Sequence, residues 1–263
     1  MSNPTRTARE QFDRQATHYD VRWNAWSAET LNWIIDAADC RPGDAVLDVA
    51  TGSGFTAVEF ANRAASVIGT DVSTGMLAEA RTRAKERGAG NVTFSEAPAE
   101  SLPFDDGSFD IVACRIAAHH FVDVAKFVKE SFRVLKPEGR FVLVDTTVPD
   151  DNETLDRWQN GVEAVRDPSH VRNYSPSEWR RFVERAGFVL GSVTDAGNGI
   201  TIPLDDWIAK AGCTPEQGAD VRARFANAPQ AARDAFQIHV EANGATVFTW
   251  RRVLLKAVKK NSN

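Results

Sequence analysis

Hydrophobic positions along this chain switch between two periods. Short apolar runs end or sit at Val46-Leu47-Asp48-Val49, Val67-Ile68, Val92-Thr93-Phe94, Phe109 to Cys114 and Arg140 to Asp145, and each has the length of a buried strand. Helical recurrence fills the gaps. Phe12, Ala16 and Tyr19 fall at i, i+4 and i+7, and Leu31, Ile34, Ile35 and Ala38 mark a second helix before the first strand. Ser73 to Arg87 reads as a helix stopped by Gly88, and Phe121, Ala125, Val128, Phe132 and Leu135, spaced 4, 3, 4 and 3, predict one apolar stripe. Ser175-Pro176-Ser177-Glu178 is a capping box with proline at the first helical position, leading a helix that stops at Gly187. Strand and helix therefore alternate, which implies a parallel sheet covered on both faces.

Downstream the pattern changes. Val189 to Val193 and Thr246 to Val258 read as strands, the second as the last one, adjacent at a sheet edge. Between them Pro203 to about Phe236 predicts two or three short helices, an insertion suited to a lid or an interface.

The first strand runs into Thr51-Gly52-Ser53-Gly54 and then a helix. Glycines there let a ligand approach bare backbone N–H groups at a helix N-terminus, where a polar or negative group is favoured. Asp71 ends the next strand, where a carboxylate can accept hydrogen bonds from a ribose diol. The pair predicts a nucleoside site. GSGFTA also fits the dinucleotide fingerprint, so these features leave the nucleotide open.

Composition narrows the partners. The 263 residues suit one large α/β domain, and a net charge of -5 supplies no electrostatic footprint for nucleic acid. No run approaches about 18 apolar residues, so neither a membrane span nor a signal peptide is expected, and the expected location is cytoplasmic. Cys40, Cys114 and Cys213 are too dispersed for a disulfide framework or a Cys-x-x-Cys site, and Cys114 is expected in the core.

Taken together, VLDVATGSGFTA, IGTDVSTGMLAEAR, LPFDDGSFDIVACRIAAHHF and FRVLKPEGRFVLVD resemble the class I S-adenosylmethionine-dependent methyltransferases, nearest the ubiquinone/menaquinone biosynthesis C-methyltransferases and related small-molecule enzymes. The similarity runs from about Phe12 to Gly187. It implies an α/β fold: a Rossmann-like, seven-stranded, mostly parallel sheet with helices on both faces, an antiparallel last strand and a helical insertion before it. The expected organisation is one domain over 1–263, with a helical cap at 1–40 and the insertion at 203–240.

The resemblance also changes the expected cofactor from NAD to S-adenosyl-L-methionine (SAM). It assigns cofactor contacts to Tyr19, Asp48, Ala50, Gly52, Gly54, Asp71, Val72, Met76, Ala99 and Arg115. Asp48 would orient the glycine turn and the methionyl amino group, Asp71 would hold the ribose, and Val72 and Met76 would wall the adenine. Tyr19 would close over the cofactor, or else simply complete its helix stripe. Two departures stand out: Ala50 where many relatives have glycine, and Pro98 where relatives carry an Asp that accepts from the adenine amino group. Glu96 or a water would have to substitute.

Methyl transfer from a sulfonium is an in-line displacement, so the protein's main work is alignment in a dry pocket. A base is needed only when the nucleophile must lose a proton. His119 and His120, at the carboxyl end of the fourth strand, are the candidates, although the pair also suits a purely shape-determining role. Adjacent histidines point apart and no further ligand pattern accompanies them, so no metal is expected. His18 and His239 read as ordinary polar residues. His170, Arg172 and Tyr174, in the loop Arg166 to Ser175, are the candidates for substrate selection, the alternative being a solvated connector. Trp158, Trp207 and the helical insertion would complete an apolar lid, the alternative being ordinary core.

The expected partner is a small organic substrate methylated at O, N, S or C, with no nucleic acid, no membrane span and a homodimer left open. No N/D-P-P-Y/F motif follows the fourth strand, where Arg115-Ile116-Ala117-Ala118 stands. Two alternatives share the scaffold: a SAM-binding enzyme of cyclisation or rearrangement, and a catalytically silent partner module, for which Pro98 is the one hint.

Overall fold

A computed structural model describes residues 7–16, 21–196 and 200–261. Two helices, α1 (Ala8–Gln15) and α2 (Val21–Ala38), precede the alternating part. There β1 (Ala45–Val49), α3 (Phe55–Ala61), β2 (Ser66–Asp71), α4 (Thr74–Glu86), β3 (Val92–Glu96) and β4 (Phe109–Arg115) follow in turn. A 3-10 turn (Ala118–His120), α5 (Val124–Val134) and β5 (Leu135–Thr146) complete it. Then come α6 (Glu153–Arg166), α7 (Pro176–Ala186) and β6 (Val189–Ala196). The insertion follows as β7 (Ile202–Pro203), α8 (Leu204–Lys210), α9 (Pro215–Ala226), α10 (Gln230–Ala235) and β8 (His239–Val240). β9 (Thr246–Phe248) and β10 (Arg252–Val258) end the chain.

The seven-stranded sheet has the order β3-β2-β1-β4-β5-β10-β6, parallel except for β10, which is antiparallel to both neighbours. Successive side chains of a strand leave opposite faces, and here both faces are covered, so the strands are apolar without interruption. Leu47, Val49, Val112, Cys114, Phe141 and Leu143 pack with Phe127, Trp179 and Val183 of α5 and α7. Val46, Ile111, Ala113, Val142 and Val144 pack on the other side with Ile34, Ile35 and Phe60. Among the described residues no helix is long and apolar enough to cross a membrane.

Two sequence expectations shift. The stripe expected from Phe121 to Leu135 is rotated: Asp123 accepts from the Lys126 N–H and starts the helix at Val124, so Val124, Phe127, Val128, Ser131 and Val134 are the buried positions. The single strand expected over 246–258 is two. Thr249 N–H donates to the Phe236 carbonyl and Trp250 turns into the insertion's own core, so β9 joins β7 and β8 in a small sheet. β10 then lies between β5 and β6, inside the sheet, and β6 is the edge.

The insertion does form three helices, and its core of Trp207, Phe225, Phe236, Phe248 and Trp250 packs on Leu155, Trp158 and Val162 of α6. This places aromatic residues above the carboxyl edge of the parallel strands.

Candidate active site

At that edge lies a cavity of about 370 Å³, bordered by the glycine turn, the histidine pair, α1 and the insertion. Its glycine end is built from β1 and β2. Gly52 and Gly54 take left-handed φ values of 53° and 84°, and a Cβ on Gly54 would stand 2.9 Å from the Ala80 Cβ. Ala50 is also left-handed at φ 54°.

Asp71 holds the turn. Its Oδ2 accepts from Gly52 N–H at 2.9 Å and its Oδ1 from Ser73 N–H at 2.9 Å, while the residue still borders the cavity. Each carboxylate oxygen has a second lone pair, so acceptor capacity remains for a ligand. Burial raises its pKa, and the backbone donors of Ser73, Gly52 and Val72 oppose that rise. Asp48 lies beneath the turn, accepting from Thr51 Oγ at 2.6 Å. Burial pushes its pKa up to about 7 despite that bond and the nearby Arg115.

Val72, Met76, Ala97 and Ala99 supply apolar wall. Pro98 points outward and is exposed, and Glu96, the suggested substitute for the missing Asp, is engaged by Arg9 at 2.5 Å. Arg115 donates to Thr56 Oγ at 2.8 Å and to Thr30 Oγ at 3.3 Å, on the cavity's α2 side. Of the expected cofactor residues, Ala50, Gly52, Asp71, Val72, Met76, Ala99 and Arg115 line the cavity, and Asp48 and Gly54 support it from below. Tyr19 and His18 lie outside the described residues.

The turn leaving β4 is strained where it meets the cavity. Ile116, a β-branched residue, adopts φ 52°, which costs on the order of 1–3 kcal/mol and persists only where the surroundings enforce it. The next residues form the 3-10 turn that aims both histidines at the cavity.

His119 Nδ1 lies 2.6 Å from Asp145 Oδ1, and its backbone N–H donates to Asp145 Oδ2 at 2.9 Å. Burial alone would depress this imidazole. The Asp145 charge and hydrogen bond, with Glu163 and Asp167 nearby, overcome burial and hold its pKa above the usual 6.5. His120 goes the other way: burial and the neighbouring His119 lower it to about 4, so it is neutral at pH 7. Its Nδ1 stands 3.1 Å from Ser169 Oγ, and the Phe12 ring meets it edge-on at 5.0 Å.

The three residues expected to select substrate do not line the cavity. His170 is buried with Nε2 on Asn160 at 2.9 Å, and Arg172 is tied to Asp156 and Glu178. Tyr174 packs in the main core between Trp179 and Phe182. Their loop does reach the cavity, but through Arg166, Asp167 and Ser169. Trp207 lines the cavity while Trp158 stays in the insertion core. Asp145, Glu163, Trp250 and Arg252 complete this end and were not singled out by sequence. Asp145 alone had a readable signal, an acid closing the strand next to the one that delivers the histidines.

A family model described as a methyltransferase domain matches residues 47–143. The chain is 37% identical over 250 residues to the uncharacterized methyltransferase YcgJ of Bacillus subtilis, covering 95% of this chain and 98% of that protein. It is 35% identical over 225 residues to the ubiquinone/menaquinone biosynthesis C-methyltransferase of Brucella anthropi, covering 74% of this chain and 85% of that one. The crystal structure of YcgJ superposes with a TM-score of 0.82 over 89% of this chain and 100% of that one. A putative methyltransferase structure from Bacillus halodurans gives 0.83 at 35% identity with the same coverage.

Proposed function

The chain belongs to the class I SAM-dependent methyltransferases, and from that premise we propose that it moves the methyl group of SAM in line to a small organic acceptor, with His119 as general base where the acceptor must lose a proton. One observation carries the reading: the Asp71-braced glycine turn and the Asp145-braced His119 open into the same cavity.

The residues present suit the cofactor. Left-handed glycines leave room at the turn, Asp71 keeps free lone pairs, and Ser53 Oγ is buried in the turn without a partner among the described residues. When bound, SAM supplies an electrophilic methyl on a sulfonium whose departure as a neutral thioether creates little new charge. Gly52, Asp71, Val72, Met76 and Ala99 would hold it. Asp145 fixes the His119 tautomer with the proton on Nδ1, which leaves Nε2 to take a proton from the acceptor. Neutral His120 shapes the wall beside it. Phe12 on α1 and Trp207 and Trp250 of the insertion core exclude water, so the N-terminal helices and the insertion act as the roof of a single working unit. A small acceptor in the cytoplasm fits the cavity and the acidic charge balance better than a nucleic acid.

Isothermal titration with SAM and S-adenosylhomocysteine tests the reading without knowing the acceptor. The wild type is expected to bind both in the micromolar range and Asp71→Ala to bind neither. Absence of binding by the wild type would sink the proposal and favour the silent-module alternative.

A further inference from the structure

The cavity wall beyond the histidines carries two guanidinium groups that are held very differently. Arg166 donates through Nε to the Trp207 carbonyl at 3.0 Å, covers the Trp207 indole at 4.3 Å, and reaches Glu163 at 3.8 Å. Arg252 has none of this. Its one hydrogen bond runs from Nη1 to the carbonyl of its neighbour Arg251 at 3.3 Å, and no carboxylate lies within 4.0 Å of it among the described residues.

The fold puts Arg252 there. β10 runs antiparallel to β5, so its first residue stands opposite Thr146, the last residue of β5, at the carboxyl edge. Val253, Leu255 and Ala257 enter the core on the α5 and α7 side, which leaves Arg252 on the other face, bordering the cavity. The acids facing it come from three elements. Asp145 of β5 is committed to His119 and to the backbone N–H groups of His119 and Thr146, Glu163 of α6 is shared with Arg166, and Glu29 approaches from α2. Burial outweighs them and lowers the pKa of Arg252. The indole Nε1 of Trp250, which borders the same cavity, is buried with no acceptor among the described residues.

A guanidinium offers five donors, and Arg252, half-buried at the cavity wall with no carboxylate partner among the described residues, keeps most of them for a ligand that supplies acceptors. Its planar geometry matches a carboxylate bidentately. A doubly charged phosphate is disfavoured because Glu163 and Asp167 share the wall. We propose that Arg252 anchors a carboxylate of the methyl acceptor, whose apolar body lies against Trp207 and Trp250. The inference rests on the methyltransferase reading.

The test uses full-length protein saturated with S-adenosylhomocysteine and titrated with benzoate, 4-hydroxybenzoate, indole-3-acetate and octanoate, each against its primary amide. At least one acid is expected to bind 10-fold or more tightly than its amide. Arg252→Gln is expected to abolish that gap and Arg252→Lys to narrow it, with S-adenosylhomocysteine affinity unchanged in both. Should the Gln variant fail to bind S-adenosylhomocysteine, the Lys variant decides, and an undiminished gap there overturns the inference. It is also overturned when no acid outbinds its amide or when the gap survives in Arg252→Gln. Failure of the wild type to bind S-adenosylhomocysteine at all would instead strike the methyltransferase reading.

Discussion

His119 Nδ1 and Asp145 Oδ1 lie 2.6 Å apart across the carboxyl ends of β4 and β5. Burial pulls the imidazole pKa down, and the Asp145 charge and hydrogen bond lift it above 6.5. Asp145→Asn keeps the shape and removes the charge, so burial prevails. An NMR titration of the His119 ring is expected to move from above 6.5 in the wild type to below it in the variant. The wild-type pair stabilises the fold fully below pH 6.5 and loses that contribution as pH rises through the elevated value. With an acceptor that must be deprotonated, the variant's transfer rate falls by about 10²–10⁴. A His119 pKa unmoved by the substitution would break the dyad reading.

Asp48 gives a second pH signature. Its carboxyl is raised from 3.8 to about 7 by burial. A raised folded pKa means its contribution is most favourable below 3.8 and declines as pH rises toward about 7. Asp48→Asn cannot ionise and still accepts from Thr51. Its stability relative to wild type is therefore expected to climb between pH 4 and pH 7, by at most about 4 kcal/mol. Urea unfolding at a series of pH values measures this, and a constant difference between the two proteins would contradict it.

How much of this was readable follows from what each feature depends on. The glycine turn, Asp71, the strand alternation and the Ser175 to Glu178 capping box are encoded within a few residues, and each stands where its pattern says. Arg252 could not be read that way. Nothing in the run Thr246 to Val258 tells that Trp250 turns into another core, and only that break places Arg252 at the carboxyl edge. The placement of the loop Arg166 to Ser175 was hidden for a related reason. His170, Arg172 and Tyr174 look like chemistry in one dimension, but Asn160, Asp156 and the Trp179 ring, which absorb them, come from α6 and α7.

The two glycines of the turn are expected to differ on substitution. Gly52→Ala meets nothing within 4 Å and carries only the left-handed backbone cost, about 1 kcal/mol. Gly54→Ala adds a contact at 2.9 Å with the Ala80 Cβ and at 3.1 Å with its Cα, so α4 must shift away from the turn. Thermal unfolding is expected to show a loss about 1–3 kcal/mol larger for Gly54→Ala. Equal losses would mean that α4 gives way freely.

α1 is held beside the glycine end of the cavity by a small number of polar ties, and on the proposed reading these are expected to set how fast a bound cofactor leaves. Asp13 of α1 accepts from Ser73 Oγ at 2.6 Å and from Gly75 N–H at 3.2 Å, and Gln11 and Gln15 both donate to the Ala211 carbonyl just beyond α8. α1 thus spans from the α4 N-terminus to the insertion, with Phe12 facing the cavity. Asp13 is exposed, so its two bonds contribute about 1 kcal/mol in total, too little to decide global stability. Yet about 1 kcal/mol against opening is about fivefold in rate. Asp13→Ala is expected to speed S-adenosylhomocysteine dissociation by about that factor, with Arg14→Ala, on the exposed side of the same helix, as the neutral control. Stopped-flow displacement reads both, and identical dissociation rates for wild type and Asp13→Ala would show that the cofactor leaves by a path α1 does not cover.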